Sequence, residues 1–134
     1  SLDQLPNQYF DLVIFNDVLE HLEDPWNVLK RIKSCLAENG EIIISVPNFL
    51  FIHTFKRVLL GDFRYEDFGV MDKTHLRFYT KKSLIRMLNE CGYRVEYIEG
   101  INGFYTWKYK VLSVCTFGLI KNWLHQQWAC RAVI

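Results

Sequence analysis

Two short stretches of the chain hold side chains whose types and spacing could do chemistry. The first is Asp17-x-x-Glu20-His21, set directly after the apolar run Leu12-Val13-Ile14-Phe15. The second is the run Asp72-Lys73-Thr74-His75-Leu76-Arg77-Phe78-Tyr79. Imidazole titrates near neutral pH, so His21 is a candidate general base or acceptor-orienting group, and His75 is a second candidate. The alternative for such a histidine is a structural hydrogen bond to a neighbouring loop, and for Glu20 a solvated turn position. Arg77 could grip an anionic acceptor through paired N–H groups. Tyr79, His53 and Tyr65 could line the same pocket. The alternative for the second stretch is a lid held by an ion pair such as Asp72–Arg77. Asp17, Glu20 and His21 offer two carboxylates and an imidazole, which could serve magnesium or zinc. They lie too close in sequence to converge without an unusual turn, so no metal site is expected from them.

The elements that must position these residues are legible in the hydrophobic pattern. Residues 9–16, YFDLVIFN, contain a continuous apolar run, which suits a strand covered on both faces, as in a parallel sheet. Asp24 then caps a helix with Pro25 in its first turn. Trp26, Leu29, Ile32, Lys33 and Leu36 follow at helical spacing, and Asn39-Gly40 is expected to end the helix. Residues 41–46, EIIISV, form a second run rich in β-branched side chains, and Pro47 forbids its extension as a central strand. Strand, helix and strand with short links make a βαβ unit, so the two strands are expected to be parallel with a right-handed crossover. Open α/β sheets bind ligands at the carboxyl ends of their strands, which places Asn16, Asp17 and Val18 at the site.

Further along, residues 49–60 can be helical, and 61–79 form a long polar and aromatic connection of the functional or lid type. Thr80 caps a second clear helix, with Leu84, Ile85, Leu88 and Cys91 as its apolar stripe and Gly92 as its stop. Residues 93–99 alternate as a strand, 104–124 read as a helix apolar on much of its circumference, and 127–134 read as a last strand.

The chain has 134 residues, half of them apolar, which fits one domain with a real core. Sixteen basic and fifteen acidic residues leave a net charge of +1, so no global attraction to nucleic acid or to anionic membrane is expected. The four cysteines form no C-x-x-C pair, and buried free thiols in a reducing cytoplasm are expected rather than zinc ligands or disulfides. No signal peptide is visible, and no uncharged apolar run reaches the roughly 18 residues of a spanning helix.

The run FDLVIFNDVLEHLEDPWNVLKRIKSCLAENGEIIISVPN resembles the segment from the fourth through the fifth strand of class I, S-adenosylmethionine-dependent methyltransferases. The run GDFRYEDFGVMDKTHLRFYTKKSLIRMLNECGYRV resembles a subgroup often found beside sugar and cell-envelope glycosyltransferases. The resemblance implies an α/β fold, a partial Rossmann-like methyltransferase sheet with strands 4-5-7-6, flanking helices and strands 1 to 3 missing. It implies S-adenosylmethionine as cofactor, with backbone groups at Asn16–Val18 approaching its methionine part. It implies a small-molecule acceptor, a sugar or other envelope metabolite. No G-x-G turn occurs in the sequence, and the acidic residue that would bind the cofactor ribose has no counterpart.

The chain is therefore expected to be the C-terminal half of such a domain, to bind the cofactor weakly and to be inactive by itself. Its fourth-strand edge, LVIF, is expected to drive self-association. The apolar helix over 104–124 could cover the sheet, or meet a lipid-linked acceptor or the membrane interface. A non-catalytic methyltransferase-like scaffold is the competing expectation.

Overall fold

The structure, a computed structural model, describes residues 4–103, 111, 114 and 120–134. Four strands, β1 (Phe10–Asn16), β2 (Leu36–Pro47), β3 (Arg94–Gly103) and β4 (His125–Val133), form one sheet in the order β1-β2-β4-β3. Strands β1 and β2 are parallel, with Leu12 opposite Glu41 and Asn16 opposite Ser45. Strand β4 runs antiparallel to both of its neighbours, β2 and β3. The sheet order is that of the strands the resemblance implied, and the α/β class stands.

Helix α1 (Pro25–Cys35) links β1 to β2 and opens as its sequence dictates: the Asp24 carboxylate accepts the Asn27 N–H at 3.1 Å, and Pro25 needs no donor in the first turn. Its end differs from expectation. The helix stops at Cys35, and Leu36 is already extended, so the strand begins five residues before Glu41 and the Asn39-Gly40 pair lies inside it. The reason is tertiary. Phe10 pairs with Leu36 and Leu12 with Glu41, so residues 37–40 bulge between these two pairs. A Cβ on Gly40 would stand 2.9 Å from the Phe10 carbonyl oxygen, so glycine is needed for close approach rather than for a helix stop.

Helix α2 (Ile52–Leu59) falls within the helical stretch expected at 49–60. Helix α3 (Lys81–Glu90) opens on a capping box, in which Thr80 Oγ1 accepts the Ser83 N–H at 3.2 Å and Ser83 Oγ accepts the Thr80 N–H at 2.8 Å. Gly92 follows with φ of 83°, the left-handed geometry that ends a helix.

One face of the sheet carries the core. Phe15, Ile42, Ile44, Val46, Trp128, Cys130 and Ala132 pack against Leu29 and Ile32 of α1 and Leu84, Met87 and Leu88 of α3. The other face departs from the reading of a doubly covered strand: Leu12, Ile14 and Ile43 stay 43%, 60% and 38% exposed. A continuous apolar run signals two apolar faces, but whether both are covered depends on which elements lie against them. Cys35, Cys91 and Cys130 are buried free thiols. Most of the helix expected at 104–124 lies outside the described residues; of those described, Val111 and Val114 are helical and Lys121–Trp123 form a 3-10 turn. Among the described residues no helix is long and apolar enough to cross a membrane.

Candidate active site at the carboxyl ends of β1 and β2

The parallel pairing of β1 and β2 delivers Asn16, Asp17 and Val18 to one rim of the sheet, and β4, running the other way, brings Gln126 and Gln127 to the same rim. Ser45 ties this rim together. Its Oγ lies 2.7 Å from Asn16 Oδ1 and 3.1 Å from Asp17 Oδ1, and accepts the Asp17 N–H at 3.1 Å. Gln127 Nε2 donates to Asp17 Oδ1 at 2.9 Å. Asp17 itself sits at φ of 52°, a left-handed conformation that aspartate tolerates better than most residues. Val18 is 38% exposed beside it. The short 3-10 turn Leu19–His21 follows immediately.

That turn meets the long connection 61–79. The N–H groups of Leu76 and Arg77 both donate to the Glu20 carbonyl, at 2.7 and 3.0 Å. Arg77 Nη2 donates to the Glu23 carbonyl, and Tyr79 Oη donates to the Leu19 carbonyl at 3.3 Å. The two stretches that carry chemistry in the sequence are thus latched to one another. Asn48, which sequence reasoning did not single out, holds the base of the rim. It is fully buried, and its Nδ2 donates to the carbonyls of Asn122 and His125 at 2.9 and 2.8 Å.

A cavity of about 190 Å³ opens between these segments, lined by Asp17, Glu20, His21, Pro47, Gly69, Val70, His75, Gln126 and Gln127. The His21 and His75 rings meet edge to face, with centroids 4.8 Å apart. His21 Nδ1 lies 3.2 Å from the Thr74 carbonyl oxygen, and His75 Nδ1 lies 3.1 Å from that of Val70. A carbonyl only accepts, so both rings carry their proton on Nδ1 and leave the Nε2 lone pair unprotonated in the neutral form. Thr74 Oγ1, also 3.2 Å from His21 Nδ1, spends its own proton on Asp72 Oδ1 at 2.6 Å and so agrees with this tautomer.

Glu20 is not the solvated turn residue that the sequence suggested. It is 1% exposed, and neither carboxylate oxygen has a hydrogen-bond partner among the described residues. Loss of water raises its carboxyl pKa to about 7; the nearby Asp17 charge adds to the rise, while its own backbone N–H, near the carboxylate but not in hydrogen-bond geometry, and His21 oppose it. Burial likewise pushes the Tyr79 phenol up, helped by Glu20.

The structure brings together His21, His75 and Asp17 of the sequence candidates, with Asn16 and Val18 adjoining. It does not place Arg77, Tyr79 or His53 in the cavity wall. Arg77 is spent on main-chain carbonyls, Tyr79 is 4% exposed inside the core, and His53 lies exposed at the start of α2, its ring 5.4 Å from that of Phe51. Tyr65 is 56% exposed and stacks edge-on against Phe63. The alternative ion pair Asp72–Arg77 is not formed, because Asp72 accepts from the Thr74 N–H and hydroxyl instead. A wider hollow of about 890 Å³ lies at the opposite end of the strands, near Gln8, Lys33 and Leu36, and holds no histidine.

The cavity is smaller than the roughly 300 Å³ at which whole-ligand pockets begin. Asp17 and the two imidazoles share its wall, with Asn16 and Val18 next to Asp17 in the chain. No curated protein matches the chain. Solved structures do. A SAM-dependent methyltransferase from Archaeoglobus fulgidus is 20% identical over 99% of this chain and 63% of its own, with a TM-score of 0.70. The 1,6-didemethyltoxoflavin-N1-methyltransferase of Burkholderia thailandensis, solved with its substrate and S-adenosylhomocysteine, is 14% identical over 98% of this chain and 47% of its own, with a TM-score of 0.60. The magnesium protoporphyrin IX methyltransferase of Synechocystis PCC 6803, solved with S-adenosylhomocysteine, is 16% identical over 99% and 48%, with a TM-score of 0.57. At these identities the likeness is one of fold, and the chain spans about half to two thirds of the length of these proteins. The family profile of the methyltransferase domain matches residues 2–98, most of the chain, in the segment that builds β1, β2 and the two-histidine cavity; the chain belongs to that methyltransferase-domain family.

Proposed function

We propose that the domain containing this chain transfers the methyl group of S-adenosylmethionine to a small-molecule acceptor. The observation that carries this reading is the juxtaposition of Asp17, the centre of the Asn16–Val18 rim, with two Nδ1-protonated imidazoles in one small cavity. The cofactor supplies an activated methyl on a sulfonium. Asn16, Asp17 and Val18 flank the donor side. His21 and His75 face the acceptor side, where an Nε2 lone pair takes the proton that an acceptor hydroxyl or amine gives up. Arg77 and Tyr79 act at one remove, holding the Leu19–His21 turn in place through its carbonyls and that of Glu23.

The acceptor class we favour is a sugar or other envelope metabolite, and its support is the likeness of residues 61–95 to methyltransferases found beside glycosyltransferases. The test is to incubate the intact domain that contains this chain with methyl-labelled S-adenosylmethionine and fractionated cell extract. Label is expected in the small-molecule fraction. Label confined to protein or nucleic acid would refute the acceptor class.

A second reading, a non-catalytic association module, has an observation of its own. Among the described residues β1 pairs only with β2, so its outer edge is open, and Leu12 and Ile14 are exposed on its face. Such an edge is a template for another strand. The expected result is a concentration-dependent dimer by light scattering, weakened by Ile14→Lys; a monomer at high concentration would remove the basis for this reading.

A further inference from the structure

We infer that Glu20, His21 and His75 form a binding site for a divalent transition-metal ion of the zinc class. One ligand atom from each of the three lies within 4.8 Å of those of the other two. A metal bound at about 2.1 Å from each needs them roughly 3.0–3.5 Å apart, so closing the site takes a movement of about an ångström. His21 is on the surface rim and His75 is on the irregular connection, and both can supply that movement.

Three features of the site point to a cation rather than to an accidental cluster. Glu20 is 1% exposed, lines the cavity, and has both carboxylate oxygens without a hydrogen-bond partner among the described residues. A buried carboxylate in that condition is costly unless something positive or protic meets it, and a cation satisfies both oxygens at once. Each imidazole is also held as metal-bound histidines are held, with Nδ1–H on a main-chain carbonyl and the Nε2 lone pair left over. Finally, two imidazoles and one carboxylate with open positions toward a cavity are a donor set for zinc, cobalt, manganese or ferrous iron, not for calcium or magnesium, which prefer all-oxygen shells.

The expectation of no metal weighed only Asp17, Glu20 and His21. The structure takes Asp17 out of the set, because its carboxylate meets Ser45 and Gln127, and brings in His75 from the long connection.

This inference does not depend on methyl transfer, and the two fail separately. The Nε2 lone pairs that hold the ion are those assigned to the proton, so an imidazole that holds the ion takes no proton, and proton transfer belongs to the ion-free site. Binding is therefore measured directly, without acceptor or cofactor. Cobalt(II) titrated into the chelator-treated protein is expected to give a saturable visible absorption at one equivalent, displaced by zinc and not by excess magnesium. His75→Ala and His21→Ala are each expected to weaken binding at least tenfold, while Asp17→Asn keeps it. Circular dichroism of His75→Ala checks that the fold persists. Because Glu20 is buried, the histidine variants carry the test. Absence of a saturable signal overturns the proposal, as does unchanged affinity in both histidine variants, equal competition by magnesium, or loss in Asp17→Asn with retention in His75→Ala.

Discussion

Replacement of His21 by alanine in the intact domain is expected to lower kcat by about 10²–10⁴-fold, the usual contribution of a positioned general base. The structure gives this expectation a sharper form. The His21 proton sits on Nδ1, facing the carbonyl and hydroxyl oxygens of Thr74, which leaves Nε2 as the atom open to an acceptor. If His21 only held the Thr74 segment in place, its loss would loosen the long connection and raise KM with kcat little changed. A fall in kcat at constant KM, partly restored by added imidazole, supports proton transfer at Nε2. A rise in KM alone assigns His21 a purely structural role. Because the His75 ring lies 4.8 Å away, His21→Ala and His75→Ala are expected to be non-additive: once one imidazole is gone, removing the other costs less than it does in the intact protein.

The second large effect is on stability, and Glu20 carries it. Its carboxyl pKa rises from an ordinary 4.5 to about 7, chiefly because burial strips it of water. Below pH 4.5 the group is protonated in both folded and unfolded chains, and the native state keeps its full stability. Between about 4.5 and 7 the unfolded chain has released the proton and the folded chain still holds it. The native state then binds more protons than the unfolded state, so unfolding free energy falls as pH rises through this window and levels off above it. The loss is on the order of 3 kcal/mol, from 1.36 kcal/mol per pKa unit.

Glu20→Gln removes the titration and keeps the shape. Urea denaturation at a series of pH values, with chelator present, is expected to show the wild-type decline and a flatter curve for the variant. An equal slope in both proteins would mean that another group titrates. The Leu19–His21 turn that carries this carboxylate is also latched to residues 76–79. Three hydrogen bonds from that segment reach the Leu19 and Glu20 carbonyls, and they hold the turn against the cost of the carboxyl it buries.

Much of the frame was legible because its signals are local. The runs Leu12–Phe15 and Ile42–Ile44 mark strands by composition alone, and Asp24 and Thr80 mark helix starts because a side-chain oxygen must accept a nearby N–H. The short strand–helix–strand spacing also determined that β1 and β2 run parallel, and hence that Asn16, Asp17 and Val18 emerge at the ligand-binding rim. Local signals misled where a tertiary contact overrode them. Asn39-Gly40 reads as a helix stop, but pairing of Phe10 with Leu36 drew that segment into the sheet.

The site itself was only half legible. The sequence offered His21 and His75 as separate candidates; only the folded chain sets their rings edge to face, through Thr74, 53 residues from His21. Nor could the sequence tell that Glu20 is buried, that Arg77 and Tyr79 serve carbonyls rather than a ligand, or that Asp17 belongs to Ser45 and Gln127. Periodicity and capping depend on neighbours a few residues away. Whether a polar side chain is covered, and which atoms reach it, depends on segments that only the tertiary fold brings together.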